Sequence, residues 1–234
     1  MKTALITGGT KGIGYAIAES MLNEGINVVI TGRNQSTVDK AVKSLSMVDK
    51  GQILGIEADV SNLASQQLSV DKTIEKFGSL DILIANAGVG HFASIEDLTP
   101  EQWQQTIDVN LTGVFNSIKA SVEGLKQSQG YFITIASLAG TNFFAKGAAY
   151  NASKFGLVGF TQAVMLDLRN YGIKTTTIMP GSVSTHFNGN EPSEKDAWKI
   201  QPEDIGQMVV DLLKIHPRTL PSKIEVRPSM TSKK

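Results

Sequence analysis

Apolar and polar positions follow two patterns that alternate along the chain. Short, nearly unbroken apolar runs over 2–7, 26–30, 52–58, 81–85, 131–136, 174–179 and 223–226 read as strands. Between them, apolar residues recur at three- and four-residue spacing, which predicts helices over 15–23, 35–47, 61–77, within 97–126, and over 147–171 and 201–215. Strands alternating with helices of this length predict parallel pairing. Runs such as Ile82-Leu83-Ile84-Ala85 lack polar alternation, as expected where helices cover both faces of a sheet. The expected architecture is α/β: a single doubly wound domain over 1–234, with a seven-stranded parallel sheet and helices on both faces. The polar end 229–234 is expected to fray.

Composition narrows the function classes. The 234 residues carry 22 lysines and arginines against 22 aspartates and glutamates, so the formal net charge is zero. That balance offers no basic field for nucleic acid or an anionic membrane. The absence of cysteine excludes disulfides, thiolate metal sites and a cysteine nucleophile. His91, His186 and His216 lack ligand-like spacing, so no metal site is expected. The first apolar run lies almost at the start and leads straight into glycines, which leaves no room for a secretory signal. No apolar run approaches the roughly 20 residues of a membrane span. A cytoplasmic protein without membrane or nucleic-acid partners is expected.

The first strand runs into Thr7-Gly8-Gly9-Thr10-Lys11-Gly12-Ile13-Gly14 and then a helix. Glycines between a strand and a helix start let the backbone approach a pyrophosphate, which the free N–H groups and positive dipole end of the helix attract. The spacing is G-x-x-x-G-x-G, not G-x-G-x-x-G. After the second strand, Thr31-Gly32-Arg33-Asn34 stands where a binder of an unphosphorylated dinucleotide would present an acidic residue to the ribose 2′-hydroxyl. A guanidinium instead pairs with a 2′-phosphate, and Lys11 adds a second cation, so NADP(H) is the expected cofactor. In a doubly wound sheet, ligands bind outside the carboxyl ends of the strands. Gly8 to Gly14, Arg33, Asp59-Val60, Asn86-Ala87-Gly88, Ser137 and Pro180-Gly181 occupy those ends.

Tyr150-Asn151-Ala152-Ser153-Lys154 supplies the candidate chemistry. Tyrosine and lysine four apart share one helix face. A free phenol has a pKa of about 10, and a nearby ammonium is expected to lower it towards working pH.

These segments, in this order, resemble the short-chain dehydrogenase/reductase family along essentially the whole chain, in its NADP-preferring carbonyl or alcohol reductase form. The resemblance implies a Rossmann fold and a hydride transfer between nicotinamide and a carbonyl or secondary alcohol. It implies that Ser137 positions the substrate oxygen, that Tyr150 is the general acid or base, that Lys154 tunes Tyr150 and bonds the nicotinamide ribose, and that Asn110 supports a water relay. It places Asp59 and Val60 at the adenine, Asn86, Ala87 and Gly88 along the cleft, and Pro180, Gly181, Val183 and Thr185 at the nicotinamide amide. Lys11 and Arg33 accompany NADP preference in the family. Ala85 departs from it, standing where many members have another asparagine.

The segment 182–199 lies where the family keeps its substrate loop and carries His186, Phe187 and Trp198. Val89, Phe92, Phe143 and Phe144 sit near the same rim, where they form either an apolar pocket for a small-molecule ketone or aldehyde or ordinary packing. A 3-oxoacyl-carrier-protein reductase and a non-catalytic NADP(H)-binding redox sensor stand as alternatives. The helices 97–126 and 147–171 are where family members pair, which implies a homodimer or homotetramer.

Overall fold

The computed structural model describes residues 1–48 and 50–231. Seven strands form one all-parallel sheet: β1 (Thr3–Ile6), β2 (Asn27–Gly32), β3 (Ile53–Glu57), β4 (Ile82–Ala85), β5 (Tyr131–Ile135), β6 (Lys174–Pro180) and β7 (Lys223–Val226). Their order is β3-β2-β1-β4-β5-β6-β7. The chain therefore winds outwards from β1 in one direction, returns, and winds outwards from β4 in the other. Of the tail expected to fray, 229–231 form neither helix nor strand, and 232–234 lie outside the described residues.

Alternation along each strand builds two cores. Ala4 and Ile6 of β1, Ile82 and Ile84 of β4, and Tyr131, Ile133 and Ile135 of β5 pack with α1 (Gly12–Asn23), α2 (Gln35–Leu45) and α7 (Pro202–Lys214). Leu5, Leu83, Ala85 and Phe132 point the other way, towards α3 (Leu63–Phe77), α5 (Gly113–Ser128) and α6 (Ala148–Leu168). The unbroken apolar strands thus reflect burial on both faces, as their sequence predicts. Helix starts are chemically marked. Asn34 accepts from the Thr37 amide at 3.2 Å, Asn62 from the Ser65 amide at 3.0 Å, and Thr99 forms a reciprocal capping pair with Gln102 ahead of Pro100.

Two differences from the sequence expectation bear on the site. The first helix begins at Gly12, three residues before the predicted start, so Gly12 and Gly14 belong to its first turn. The helix expected within 97–126 is two helices, α4 (Pro100–Ile107) and α5, joined without a break by a π-helical turn over Asp108–Thr112. A π turn is a rare local widening of the α-helix that often occurs at functional sites. Here it carries Asn110.

Phe132, the second residue of β5, is fully buried. Phe132→Ala should cost about 3–5 kcal/mol, and the melting temperature measured by calorimetry should fall by roughly 10 °C.

Candidate active site

The cleft opens where the strand order reverses, between the carboxyl ends of β1 and β4. Asn86, just past β4, clamps this point. Its Nδ2 donates to the carbonyls of Thr7 and Gly8, each at 3.0 Å. The Thr7 hydroxyl oxygen accepts from the backbone N–H groups of Asn86 and Ala87, each at 3.1 Å. Gly8 has φ +66°, and a Cβ there would sit 2.9 Å from the Ala87 Cα. A Cβ on Gly14 would collide with the Asn86 amide and with the Gly8 carbonyl oxygen at 2.5 Å. The glycine at position 14 is therefore a packing requirement of the clamp.

The cleft encloses about 510 Å³. Its walls include Gly8, Thr10, Lys11, Gly12 and Ile13 from the first loop, Arg33 after β2, Val60, and Asn86, Ala87 and Gly88 after β4. Ser137, Tyr150, Lys154, Pro180, Gly181, Val183 and Thr185 complete the predicted set that lines it. Gly14, Asp59 and Asn110 are not wall residues. Asp59 is exposed, and its Oδ1 accepts from the backbone and hydroxyl of Ser61 at 2.9 and 2.8 Å.

Ser137 follows β5 with an extended backbone and caps the 3₁₀ turn Leu138–Gly140. Its Oγ accepts from the Ala139 amide at 3.1 Å, which leaves the hydroxyl proton for donation into the cleft. Lys154 is only 4 % exposed, and its Nζ donates to the Ile135 carbonyl at 3.0 Å. Burial lowers its pKa to about 8. The ammonium stands 5.7 Å from the centre of the Tyr150 ring. Burial raises the phenol of Tyr150 above its usual value, and the Ser137 hydroxyl beside it works in the opposite direction. The sequence expectation of a phenol lowered by Lys154 is thus not met in the protein alone, because desolvation outweighs the opposing Ser137 hydrogen bond.

Asn110 stands behind this group. Its Oδ1 accepts from the Val89 amide at 2.8 Å, and its Nδ2 donates to the Val89 carbonyl at 2.9 Å and to Ser153 Oγ at 3.0 Å. Both amide protons are used, so the side chain holds the loop after β4 against α6. Ser153 in turn donates to the Tyr150 carbonyl at 2.8 Å. Asn151 has a related role that its sequence position did not disclose. Its Nδ2 donates to the carbonyls of Ala139 and Asn142 at 2.7 and 2.8 Å, which fastens the segment after Ser137 to the start of α6. A polar residue beside Tyr150 in the sequence gives no signal of such partners, because they lie on a separate loop.

The glycine loop fits a phosphate-bearing ligand. Gly12 has φ +57° at the start of α1, and its Cβ position faces Thr185 at 3.4 Å. The hydroxyl of Thr31 is buried at the same wall with no partner in the protein. Among the described residues, no carboxylate pairs with Lys11 or Arg33. No group of three or more metal-ligating side chains occurs among the described residues, and no helix is long and apolar enough to cross a membrane.

Comparison with known proteins agrees with this geometry. The family described as short chain dehydrogenase matches residues 2–196. An uncharacterized oxidoreductase of Staphylococcus saprophyticus is 33% identical over 232 residues, covering 97% of each chain. The D-beta-hydroxybutyrate dehydrogenase of Cupriavidus necator is 37% identical over 186 residues, covering 79% of this chain and 71% of its own. Among solved structures, an alcohol dehydrogenase from the archaeon Thermococcus sibiricus, complexed with 5-hydroxy-NADP, superposes with a TM-score of 0.93 at 28% identity. That match covers 100% of this chain and 99% of the other. With the strand order, the glycine loop and the Ser137–Tyr150–Lys154 cluster in place, the chain belongs to the short chain dehydrogenase family of oxidoreductases.

Proposed function

We propose that the protein is an NADPH-dependent reductase of ketones or aldehydes, reversible with secondary alcohols. The observation that carries this reading is the placement of the Tyr150 phenol in the cleft, beside the Ser137 hydroxyl and in front of the buried Lys154 ammonium. Pro180, Gly181, Val183 and Thr185 would hold a nicotinamide in the cleft, which would supply or take the hydride. Ser137 donates a hydrogen bond to the substrate oxygen, and Tyr150 gives that oxygen its proton as negative charge develops on it. Lys154, fixed on the Ile135 carbonyl, keeps a positive charge close to the phenol. Asn110 and Ser153 hold the backbone around this group in register. The segment 182–199 serves as the substrate loop, and two or four copies assemble through the long helices.

Tyr150→Phe should lower the turnover of a reducible ketone by roughly 100- to 10,000-fold with the fold intact by circular dichroism. Near-wild-type turnover would remove the phenol from the mechanism. Burial raises the phenol above its ordinary value of about 10, so carbonyl reduction should stay flat through neutrality. Alcohol oxidation, which needs the phenolate, should rise steadily with pH over the same range.

NADPH preference is supported by two unpaired cations, Lys11 and Arg33, at the end of the cleft where β2 meets the glycine loop. The close approach there is direct, since a Cβ on Gly32 would lie 2.8 Å from Thr10 Cγ2. Arg33→Ala should raise the KM for NADPH about tenfold or more, with little change for NADH. Equal effects on both cofactors would remove the 2′-phosphate contact.

Lys154 should be costly to the fold. Its folded pKa of about 8 lies below the ordinary 10.5, so the penalty is fully present below pH 8 and fades as pH rises towards 10.5. Lys154→Met should therefore stabilise the protein at pH 7, by up to about 3 kcal/mol on the scale of 1.36 kcal/mol per pKa unit. The gain should shrink between pH 8 and 10.5 in denaturant titrations, while activity is lost.

A further inference from the structure

The substrate end of the cleft is lined differently from its phosphate end. Phe92 meets Tyr150 edge-on, with ring centres 5.4 Å apart. Phe187 lies 5.7 Å from Tyr150 and 6.4 Å from Phe92, and Phe144 lies 5.8 Å from Phe92. Three phenylalanine rings from three separate segments thus gather at the phenol, Phe92 and Phe187 against it and Phe144 against Phe92. Phe92 and Phe144 remain 39% and 48% exposed, Phe92 beside Tyr150 and Phe144 on the far side of Phe92 at the rim. The backbone accommodates these rings closely. A Cβ on Gly90 would fall 2.8 Å from the Phe187 ring and 3.0 Å from that of Phe92, and one on Gly147 would fall 2.7 Å from Phe144. Asn151 Oδ1 accepts from the Phe144 amide at 3.4 Å, which ties that wall to the turn bearing Tyr150.

The cations of the cleft stand elsewhere or are already engaged. Lys11 and Arg33 are at the phosphate end, and Lys154 is buried on the Ile135 carbonyl. Lys199 pairs with Asp196 Oδ1 at 2.6 Å. The other polar side chains of the loop that line the cleft are Ser182, Thr185, His186 and Asn190, and His186 and Asn190 are exposed. A substrate carboxylate held between the rings would lose water without gaining a counter-charge. A flat or alicyclic apolar group would cover ring faces that the protein itself leaves open.

We infer that this pocket selects uncharged ketones bearing an aromatic or alicyclic group next to the carbonyl, and disfavours 3-oxo acids. This specificity rests on the reductase reading above. The ring cluster supplies the attraction, and the missing counter-charge supplies the rejection.

The test is a steady-state comparison of the full-length protein with NADPH and three carbonyl compounds: acetophenone, 2-butanone and 3-oxobutanoate. The kcat/KM for acetophenone should exceed that for 3-oxobutanoate by tenfold or more. Phe187→Ala should reduce the acetophenone to 2-butanone ratio by about tenfold. Phe144→Arg, at a half-exposed position, should raise the 3-oxobutanoate to acetophenone ratio by about tenfold by supplying the absent cation. Preference for the 3-oxo acid, or substrate ratios unmoved by both variants, would overturn the pocket assignment and leave the reductase reading standing. If none of the three compounds oxidised NADPH, both would fall together.

Discussion

The site depends on the clamp that Asn86 places across the reversal point of the sheet. Two parallel strands that end side by side expose their last carbonyls, and unpaired buried carbonyls are costly. One carboxamide satisfies those of Thr7 and Gly8, while the Thr7 hydroxyl takes the amides that follow β4. The glycine loop and the loop after β4 are thereby locked into one surface. Every other part of the cleft is measured from it. Gly14 is small because the clamp lies against it, and α1 can then aim its first turn into the opening.

A second constraint opposes stability. An ammonium that is almost completely buried, hydrogen-bonded to the Ile135 carbonyl, lies at the centre of the site. The carbonyl that receives it belongs to Ile135, the last residue of β5, immediately before Ala136 and Ser137. A strand end, a capping serine and one helix turn thus set the relative positions of Ser137, Tyr150 and Lys154. None of them sits on a long flexible loop, which suits chemistry that tolerates little misplacement. Natural proteins tend to carry such strain where function requires it.

Much of this was legible in the sequence for local reasons. Helix geometry alone relates Tyr150 to Lys154, and a glycine cluster between a strand and a helix permits few structures. The unbroken apolar strands announced a sheet covered on both faces. Less legible was whatever depends on long-range packing. The π turn at Asp108–Thr112 leaves no periodic trace over so short a span, and it places Asn110 against Val89 and Ser153. The direction of the Tyr150 shift depends on how much water the surrounding rings exclude, which spacing does not encode. Asn151 looked like an ordinary helical residue because its partners lie on a neighbouring loop. Asp59, adjacent to the wall, turns its carboxylate to Ser61.

The chain leaves the sheet after β6 and is pinned again before α7. Val183 bridges Ile200, the Ser184 amide donates to the Ile200 carbonyl at 2.9 Å, and the Ile200 amide donates to the Ser182 carbonyl at 3.1 Å. Everything between these bonds is an excursion closed at its neck. The entropy of closing such a loop grows only slowly with its length, by about 0.6 kcal/mol per doubling. Residues can therefore be exchanged, added or removed above the neck at little thermodynamic cost, while the strands and the Ser137–Tyr150–Lys154 cluster below remain unchanged. The neck separates a part of the chain that can diversify from a part that cannot, so new specificities can arise on this scaffold without rebuilding the chemistry beneath.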